Sequence, residues 1–263
     1  MLEFGPSIAA WIASTAVPAF AGLLLMTAAG RRLGPGLASG FALGIFLWFF
    51  VDTIEGSADL DVSSGFEGGA GQIAMVLLFV AGLLLFFSLD RGMLSESTVN
   101  TGILIPLAAA VAVGIHGFGE GTAFGSTAYS TSSSSLLDAF GGLSGGAAYV
   151  LHKMLEPMMV GAVYVAVSKD TSRSLAASVK DILILTGGFA LPSLLGAITG
   201  YFISYDATYF FALGTGTSIF VAFKLARQVL NPTEPHRGHW PLKVSVALAV
   251  GFIMIYAAAL LHS

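Results

Sequence analysis

Eight apolar segments of about 20 residues or more follow one another along this chain, with only short connections between them. A helix needs about 20 apolar residues to cross the hydrocarbon core of a bilayer. Because lipid offers no partner to backbone polar groups, such a chain is confined to a bundle of membrane-spanning helices. The sequence predicts an all-α polytopic membrane protein, one transmembrane domain over residues 1–263, with an uncleaved first span. The predicted spans are 6–29, 35–55, 70–89, 101–127, 137–168, 178–203, 206–230 and 241–262.

The composition agrees with a protein that faces lipid. Hydrophobic residues make up 56% of the chain and charged residues only 10%, whereas soluble domains carry about 25% charged residues. Thirty-three glycines suit helices that approach each other closely. Without cysteine there is no thiolate ligand and no basis for inferring a redox compartment. No basic patch suggests a nucleic-acid partner, and no glycine-rich phosphate loop follows a strand.

The basic residues predict the orientation of the bundle. Ten of the 11 lysines and arginines lie in or beside the connections after spans one, three, five and seven. By the positive-inside rule these connections are cytoplasmic, which places both termini outside and requires an even number of spans. We therefore expect a multi-pass protein of the cell (plasma) membrane. The ten residues are Arg31, Arg32, Arg91, Lys169, Arg173, Lys180, Lys224, Arg227, Arg237 and Lys243.

Two short motifs inside apolar spans contain the histidine and glutamate residues that are candidate metal ligands. His116 and Glu120 are spaced i, i+4 in span four, and His152 and Glu156 repeat that spacing in span five. On a helix this spacing puts both side chains on one face. A carboxylate buried in an apolar span must pair, become protonated or bind a cation. The alternative is that the histidines are hydrogen-bonded packing residues. Two imidazoles and two carboxylates that face each other would instead form a site for a divalent transition metal.

Further ionisable residues surround these motifs. Asp52 and Glu55 end span two at i, i+3 spacing, either as a cation entrance or as a solvated helix end. An acidic loop follows and would concentrate cations by electrostatic focusing; its residues are Asp59, Asp61 and Glu67. Lys153 is the eleventh basic residue, too deep to reach either surface and within ion-pairing reach of Glu156. We hypothesise that its ammonium group fills a subsite that a second cation would otherwise occupy, with room beside Gly117.

Two prolines lie within spans that carry the motifs. Pro157 directly follows Glu156, and Pro106 precedes His116 in span four. A proline inside a helix removes a backbone hydrogen bond, and broken helices often form the midplane sites of transporters. The alternative is that both prolines only bend their helices for packing.

At these residues the sequence resembles the ZIP (Zrt-, Irt-like) metal transporter family. His116-Gly117-Phe118-Gly119-Glu120-Gly121 is similar to the His-Asn-x-x-Glu-Gly motif of the family's fourth span, and the stretch from His152 to Glu156 matches the His-x-x-x-Glu motif of its fifth. The segment Gly36–Glu55 resembles the second span, and Leu195–Gly200 the sixth. The resemblance implies eight spans, both termini outside, and alternating access in which spans one, four, five and six move against the rest.

The departures from the family pattern concern its second metal subsite. Gly117 replaces the usual asparagine, Lys153 replaces an acid, and Leu191 precedes Pro192 where binuclear members tend to have glutamate. All three second-subsite ligands are therefore missing, and we expect a mononuclear site.

The leading hypothesis is an importer that moves zinc, or alternatively iron or manganese, into the cytoplasm. The metal is cargo, no tightly bound cofactor is expected, and a homodimer is compatible with the sequence. His116, Glu120, His152 and Glu156 would bind the ion, and Asp52 and Glu55 would receive it. An intramembrane metal-dependent hydrolase is the main alternative, although a His-Glu-x-x-His motif is missing. A third class is a pigment or electron carrier, with haem on His116 and His152 or a Schiff base on Lys153.

Overall fold

The computed structural model describes residues 2–63, 70–89, 102–130, 135–167, 175–203, 205–230 and 242–262. Throughout these ranges the regular elements are helices, which confirms the all-α prediction. The ranges leave out Arg91, Lys169, Arg173, Arg237 and Glu67, so the predictions made for them lie outside the described residues. The helices are α1 (Phe4–Leu33), α2 (Pro35–Ser63), α3 (Ala70–Leu89), α4 (Leu104–Gly114), α5 (His116–Ser130), α6 (Leu136–Ala139), α7 (Gly142–Val167), α8 (Leu175–Phe202), α9 (Thr208–Leu230), α10 (Leu242–Ala259) and a 3₁₀ turn at Leu260–His262.

Seven of the described helices are long and apolar enough to cross a membrane. They are α1, α2, α3, α7, α8, α9 and α10, and they lie close to seven of the eight predicted spans. The predicted span 101–127 is instead divided into α4 and α5, which meet at an angle of 40°. Taken together as one bent span, this pair would supply the eighth. A polytopic membrane protein is therefore confirmed, whereas the count of eight and the orientation stay predictions.

The bend between α4 and α5 does not occur at a proline. Pro106 lies in the first turn of α4, where a helix has no backbone partner for the missing N–H. Pro157 lies inside α7, which continues without interruption from Gly142 to Val167. The two helices meet at Ile115 instead, next to His116. The prolines therefore do not divide these spans, and the division coincides with a predicted ligand.

The helices pack as two groups. In the first group, α1 lies against α7 and α8, and α8 also packs along α4 and α5. In the second, α2 lies between α10 and α9, and α9 also packs along α3. The two groups meet chiefly where α2 contacts α7 and where α9 contacts α4 and α5. The first group contains both His-x-x-x-Glu motifs, and α2 of the second group lies across from them.

Glycines allow α5 and α8 to approach each other very closely. A Cβ atom on Gly121 would collide with the backbone of Ser193, and one on Gly196 would collide with the backbone of Phe118. The small residues of each helix thus lie against the backbone of the other, as is typical of helix contacts in membranes. This contact holds α5, and with it Glu120, firmly against α8.

We expect Gly121→Val to destabilise the protein, because the added side chain would force α5 and α8 apart. Overpacking of this kind typically costs about 1–3 kcal/mol. Thermal unfolding in detergent, followed by circular dichroism, would measure the loss. Gly187→Val is the control, since Gly187 lies in α8, the helix against which Gly121 packs, but has no atom within 4 Å of an added Cβ. Equal stability of the two variants would contradict the role of this contact.

Candidate metal centre

His116 is positioned by the bend between α4 and α5. It is the first residue of α5, and its ring Nδ1 donates a hydrogen bond to the carbonyl of Val113 in the last turn of α4. The ring of Phe49 from α2 packs against the imidazole at 4.6 Å with an interplanar angle of 85°. These contacts fix the ring and leave its Nε2 as the atom directed at the neighbouring acids.

On α7, His152, Lys153 and Glu156 lie within little more than one turn. The His152 Nδ1 bonds the carbonyl of Ala148 at 3.0 Å, one turn earlier in the same helix. With Nδ1 donating to a carbonyl, a neutral imidazole carries its lone pair on Nε2, the form that binds metal. Both predicted histidine ligands thus have the same backbone-fixed tautomer.

Three of the four predicted ligands form a tight group. One donor atom each from His116, Glu120 and Glu156 lies within 4.8 Å of the other two. The His116 Nε2 is 3.3 Å from Glu156 Oε2 and 3.8 Å from Glu120 Oε1. His116 and Glu156 are each 2% exposed, whereas the Glu120 side chain is 24% exposed. His152 lies outside this group, although it is also buried.

Lys153 lies in the middle of the same residues. Its ammonium group is 2.6 Å from Glu120 Oε2, 2.7 Å from Glu156 Oε2 and 3.2 Å from His116 Nε2. The residue is 0% exposed. The predicted ion pair with Glu156 is therefore present, and a second one with Glu120 accompanies it. In this arrangement the lysine supplies the positive charge that two buried carboxylates require.

The α8 side chains near Lys153 differ from those that the sequence suggested. Leu191, predicted to stand at a vacant ligand position, is 54% exposed and faces away from the centre. The ring of Phe189 instead lies 5.5 Å from the lysine Nζ. A Cβ on Gly117 would lie 3.1 Å from the Ser193 Cβ, so Ser193 takes much of the space beside that glycine. None of these α8 residues is an acid that could replace the glutamate expected at a second metal subsite.

A cavity of about 320 Å³ reaches the carboxylates from one side of the cluster. Glu120, His152 and Glu156 line it, together with Asp52 from α2. His116 is not among the lining residues, because it lies behind the carboxylates. The cavity therefore brings His152 and Asp52 to the same two acids that His116 contacts from the buried side. The remaining lining residues are Trp11, Ala123, Phe124, Thr127, Ala139, Phe140, Gly145, Tyr149 and Phe211.

The two predicted entrance residues have different surroundings. Asp52 is exposed and lines the cavity, as an entrance residue would. Glu55 is also exposed but is not part of the cavity wall. The side chains of Asp59 and Asp61 lie outside the described residues, as does the whole of Glu67.

Sequence reasoning missed an aromatic wall beside the carboxylates. The Trp11 ring stacks on Phe124 at 4.4 Å and on Tyr149 at 4.6 Å, and its Nε1 donates to the Ser193 Oγ at 3.1 Å. The Tyr149 hydroxyl is 2.6 Å from the Thr15 hydroxyl. Tyr149 could have been found from its spacing, since it lies one turn before His152 and Lys153. Nothing in the sequence around Trp11 indicates its place.

No protein-family model matches this chain, and a search of curated proteins gives no match either. The functional interpretation therefore depends on the geometry of the centre and on the motifs that carry the resemblance.

Proposed function

We propose that this protein binds a divalent transition metal, zinc or alternatively iron or manganese, between α5 and α7 and carries it into the cytoplasm. The observation that carries the proposal is the convergence of His116, Glu120 and Glu156 within 4.8 Å inside an apolar helix bundle. One imidazole and two carboxylates are suitable ligands for zinc and for neighbouring first-row metals. Buried ionisable groups in a membrane helix are typical of a substrate pathway.

His152 and Asp52 would complete the coordination from the cavity side. Both line the cavity together with Glu120 and Glu156. A cation that enters this cavity meets the partly exposed Glu120 carboxylate before the buried Glu156 carboxylate. We assign His116, Glu120, His152 and Glu156 as metal ligands and Asp52 as the residue that receives the ion. Glu55 is retained as a weaker entrance residue, because it lies outside the cavity wall.

Lys153 would restrict the centre to one metal ion. Its ammonium group contacts Glu120 and Glu156 on the side occupied by Phe189, away from any further acid among the described residues of α8. An incoming metal would compete with this ammonium group for the two carboxylates. The site would therefore hold one metal at a time, and its affinity would be lower than that of a site without the lysine.

Alternating access would use the two groups of helices. Both His-x-x-x-Glu motifs belong to the group of α1, α4, α5, α7 and α8, and Asp52 belongs to the group of α2, α3, α9 and α10. Sliding of one group against the other would change which side of the membrane reaches the carboxylates. A ZIP-type importer with eight spans and both termini outside is the form of transporter that this arrangement supports.

Metal uptake into proteoliposomes would test the proposal. We expect the native protein to move zinc, and to move iron, manganese or cadmium to different extents, whereas Glu120→Ala reduces uptake more than tenfold because a shared ligand is lost. Glu3→Ala is the control, since it removes an exposed acid before the start of α1, outside the cavity wall, and should retain uptake. Native protein that binds zinc but moves no metal, and that hydrolyses a substrate, would favour the hydrolase.

A further inference from the structure

An apolar groove lies away from the metal centre, where α1, α2, α7 and α10 meet. Its volume is about 390 Å³, and its lining is almost wholly aliphatic. The floor is formed by the buried residues Met26, Ala38 and Met158, and the walls include the exposed Leu25 and Leu33. The full lining is Leu25, Met26, Ala29, Gly30, Leu33, Leu37, Ala38, Phe41, Met158, Ala247 and Val250.

Two basic residues continue the faces that line this groove. On α1, Leu25, Ala29 and Arg32 are spaced i, i+4 and i+7, so Arg32 lies on the same face one turn after Ala29, next to Leu33 at the end of the groove wall. On α10, Lys243 stands in the same relation to Ala247 and Val250. Both side chains are exposed.

The two cations lie at the same end of the bundle. The C-terminal end of α1 leads directly into the start of α2, and α2 runs parallel to α10, with Gly40 against Val244 and Gly44 against Leu248. Within the part of the chain that the structure describes, neither Arg32 nor Lys243 forms an ion pair. The apolar groove therefore ends near two positive charges that no acid among the described residues compensates.

We propose that this groove binds an anionic phospholipid. One acyl chain would lie along Leu25, Ala29 and Val250, and the phosphate group would lie between Arg32 and Lys243. Basic residues at the end of a membrane helix attract anionic headgroups, and the aliphatic lining suits a lipid tail. The groove joins α1 and α7 of one helix group to α2 and α10 of the other, so the lipid would bridge the two groups.

Site-specific quenching in vesicles would test the proposal, and the chain suits it because it contains no cysteine. A bimane label on Ala29→Cys would report on the groove in full-length protein reconstituted in phosphatidylcholine. Brominated phosphatidylglycerol should quench this label more efficiently than brominated phosphatidylcholine, by an apparent preference of about fivefold for each basic residue. Arg32→Gln and Lys243→Gln should each remove about that factor, whereas Arg227→Gln, on a helix outside the groove, should leave the preference unchanged.

A second label distinguishes a groove from general attraction to a basic helix end. Phe223 is 58% exposed and lies one turn before Arg227 on α9, away from this groove. Lys224 and Arg227 both lie near this label, so Phe223→Cys reports on a basic helix end without the groove and should show a clearly smaller preference for the anionic lipid than Ala29→Cys. Equal preference at both labels would overturn the proposal. So would a label at position 29 that neither lipid quenches, which would indicate that a second copy of the chain covers the groove. Metal uptake is not part of this readout, so its result is independent of the transport function.

Discussion

Replacing Lys153 with methionine is expected to make the stability of this protein depend on bound metal. In the native chain the lysine ammonium group lies 2.6 Å from Glu120 and 2.7 Å from Glu156, and it is the cation closest to both. Methionine has a similar length but no charge, so the two carboxylates would be left without their cation. Removing one partner of a buried ion pair typically costs about 3–5 kcal/mol.

Zinc should restore the stability that Lys153→Met removes. A divalent ion bound between Glu120, Glu156 and His116 would supply the missing positive charge, and binding to the folded state raises stability by mass action. We therefore expect the melting temperature of metal-free Lys153→Met to fall well below that of the native protein and to rise steeply with added zinc. The native protein should show a much smaller rise, because its lysine already compensates the acids.

Metal stoichiometry tests the role of Lys153 independently, with a second substitution at the same position. If the ammonium group fills a second cation subsite, Lys153→Asp should bind up to two zinc ions per chain, whereas the native protein binds one. Metal content after gel filtration, measured by inductively coupled plasma mass spectrometry, would count them. Lys180→Met is the matched control, since Lys180 is an exposed lysine on α8. A Lys153→Asp protein that holds only one ion would show that the lysine does not occupy such a subsite.

The boundaries of most helices could be predicted because length and hydropathy alone determine them. The predicted spans 70–89 and 206–230 differ from α3 and α9 by no more than two residues at either end. Charged residues interrupt the apolar segments on both sides of each span, and a helix in lipid has few other places to end. The bend at His116 was not predicted in this way, although Gly114 and Gly117 flank it, because glycines recur along the whole span and do not single out one position as a break.

The candidate centre could be predicted in part, for reasons of helix geometry. The i, i+4 spacing places Glu120 over His116 within one helix, and the i, i+3 spacing places Lys153 beside Glu156. Contacts between helices depend on rotation and register, which one sequence does not determine. For that reason the expected Lys153 pair with Glu156 was found from spacing, whereas its pair with Glu120 and the approach of Trp11 were not.

Because the sequence does not determine the rotation and register of the helices, it also did not predict that His152 lies outside the group of ligands. The sequence treats His116 and His152 as equivalent, because each begins a His-x-x-x-Glu motif. In the structure His116 joins both acids from the buried side, and His152 faces the cavity instead. The two motifs are therefore related by spacing but not by position around the centre. The two glutamates are also unequally buried, and this leads to an expected difference between their variants.

Glu156→Gln is expected to abolish metal binding and also to destabilise the protein, whereas Glu120→Gln should abolish binding at a smaller cost. Either amide keeps the shape of the side chain but removes the charge that a divalent ion requires, so zinc affinity should fall more than about a hundredfold in both. The stability effects should differ because the Glu156 side chain is 3% exposed and the Glu120 side chain 24%. Water can solvate the partly exposed position of Glu120 and reduce the cost of losing its charge, but it does not reach the buried position of Glu156 to the same extent.

Isothermal titration with zinc and thermal unfolding of the metal-free proteins would separate the two effects. Both glutamates contact Lys153 and His116, but Glu156 lies closer to the His116 Nε2, at 3.3 Å against 3.8 Å for Glu120. Glu3→Gln serves as the control for both measurements, because that acid is exposed, lies outside the cavity wall and has no role in the proposed site. Equal destabilisation by the two central substitutions would indicate that both carboxylates are screened alike. Zinc affinity that survives either substitution would show that the metal is held elsewhere, and the assignment of these glutamates as ligands would then be wrong.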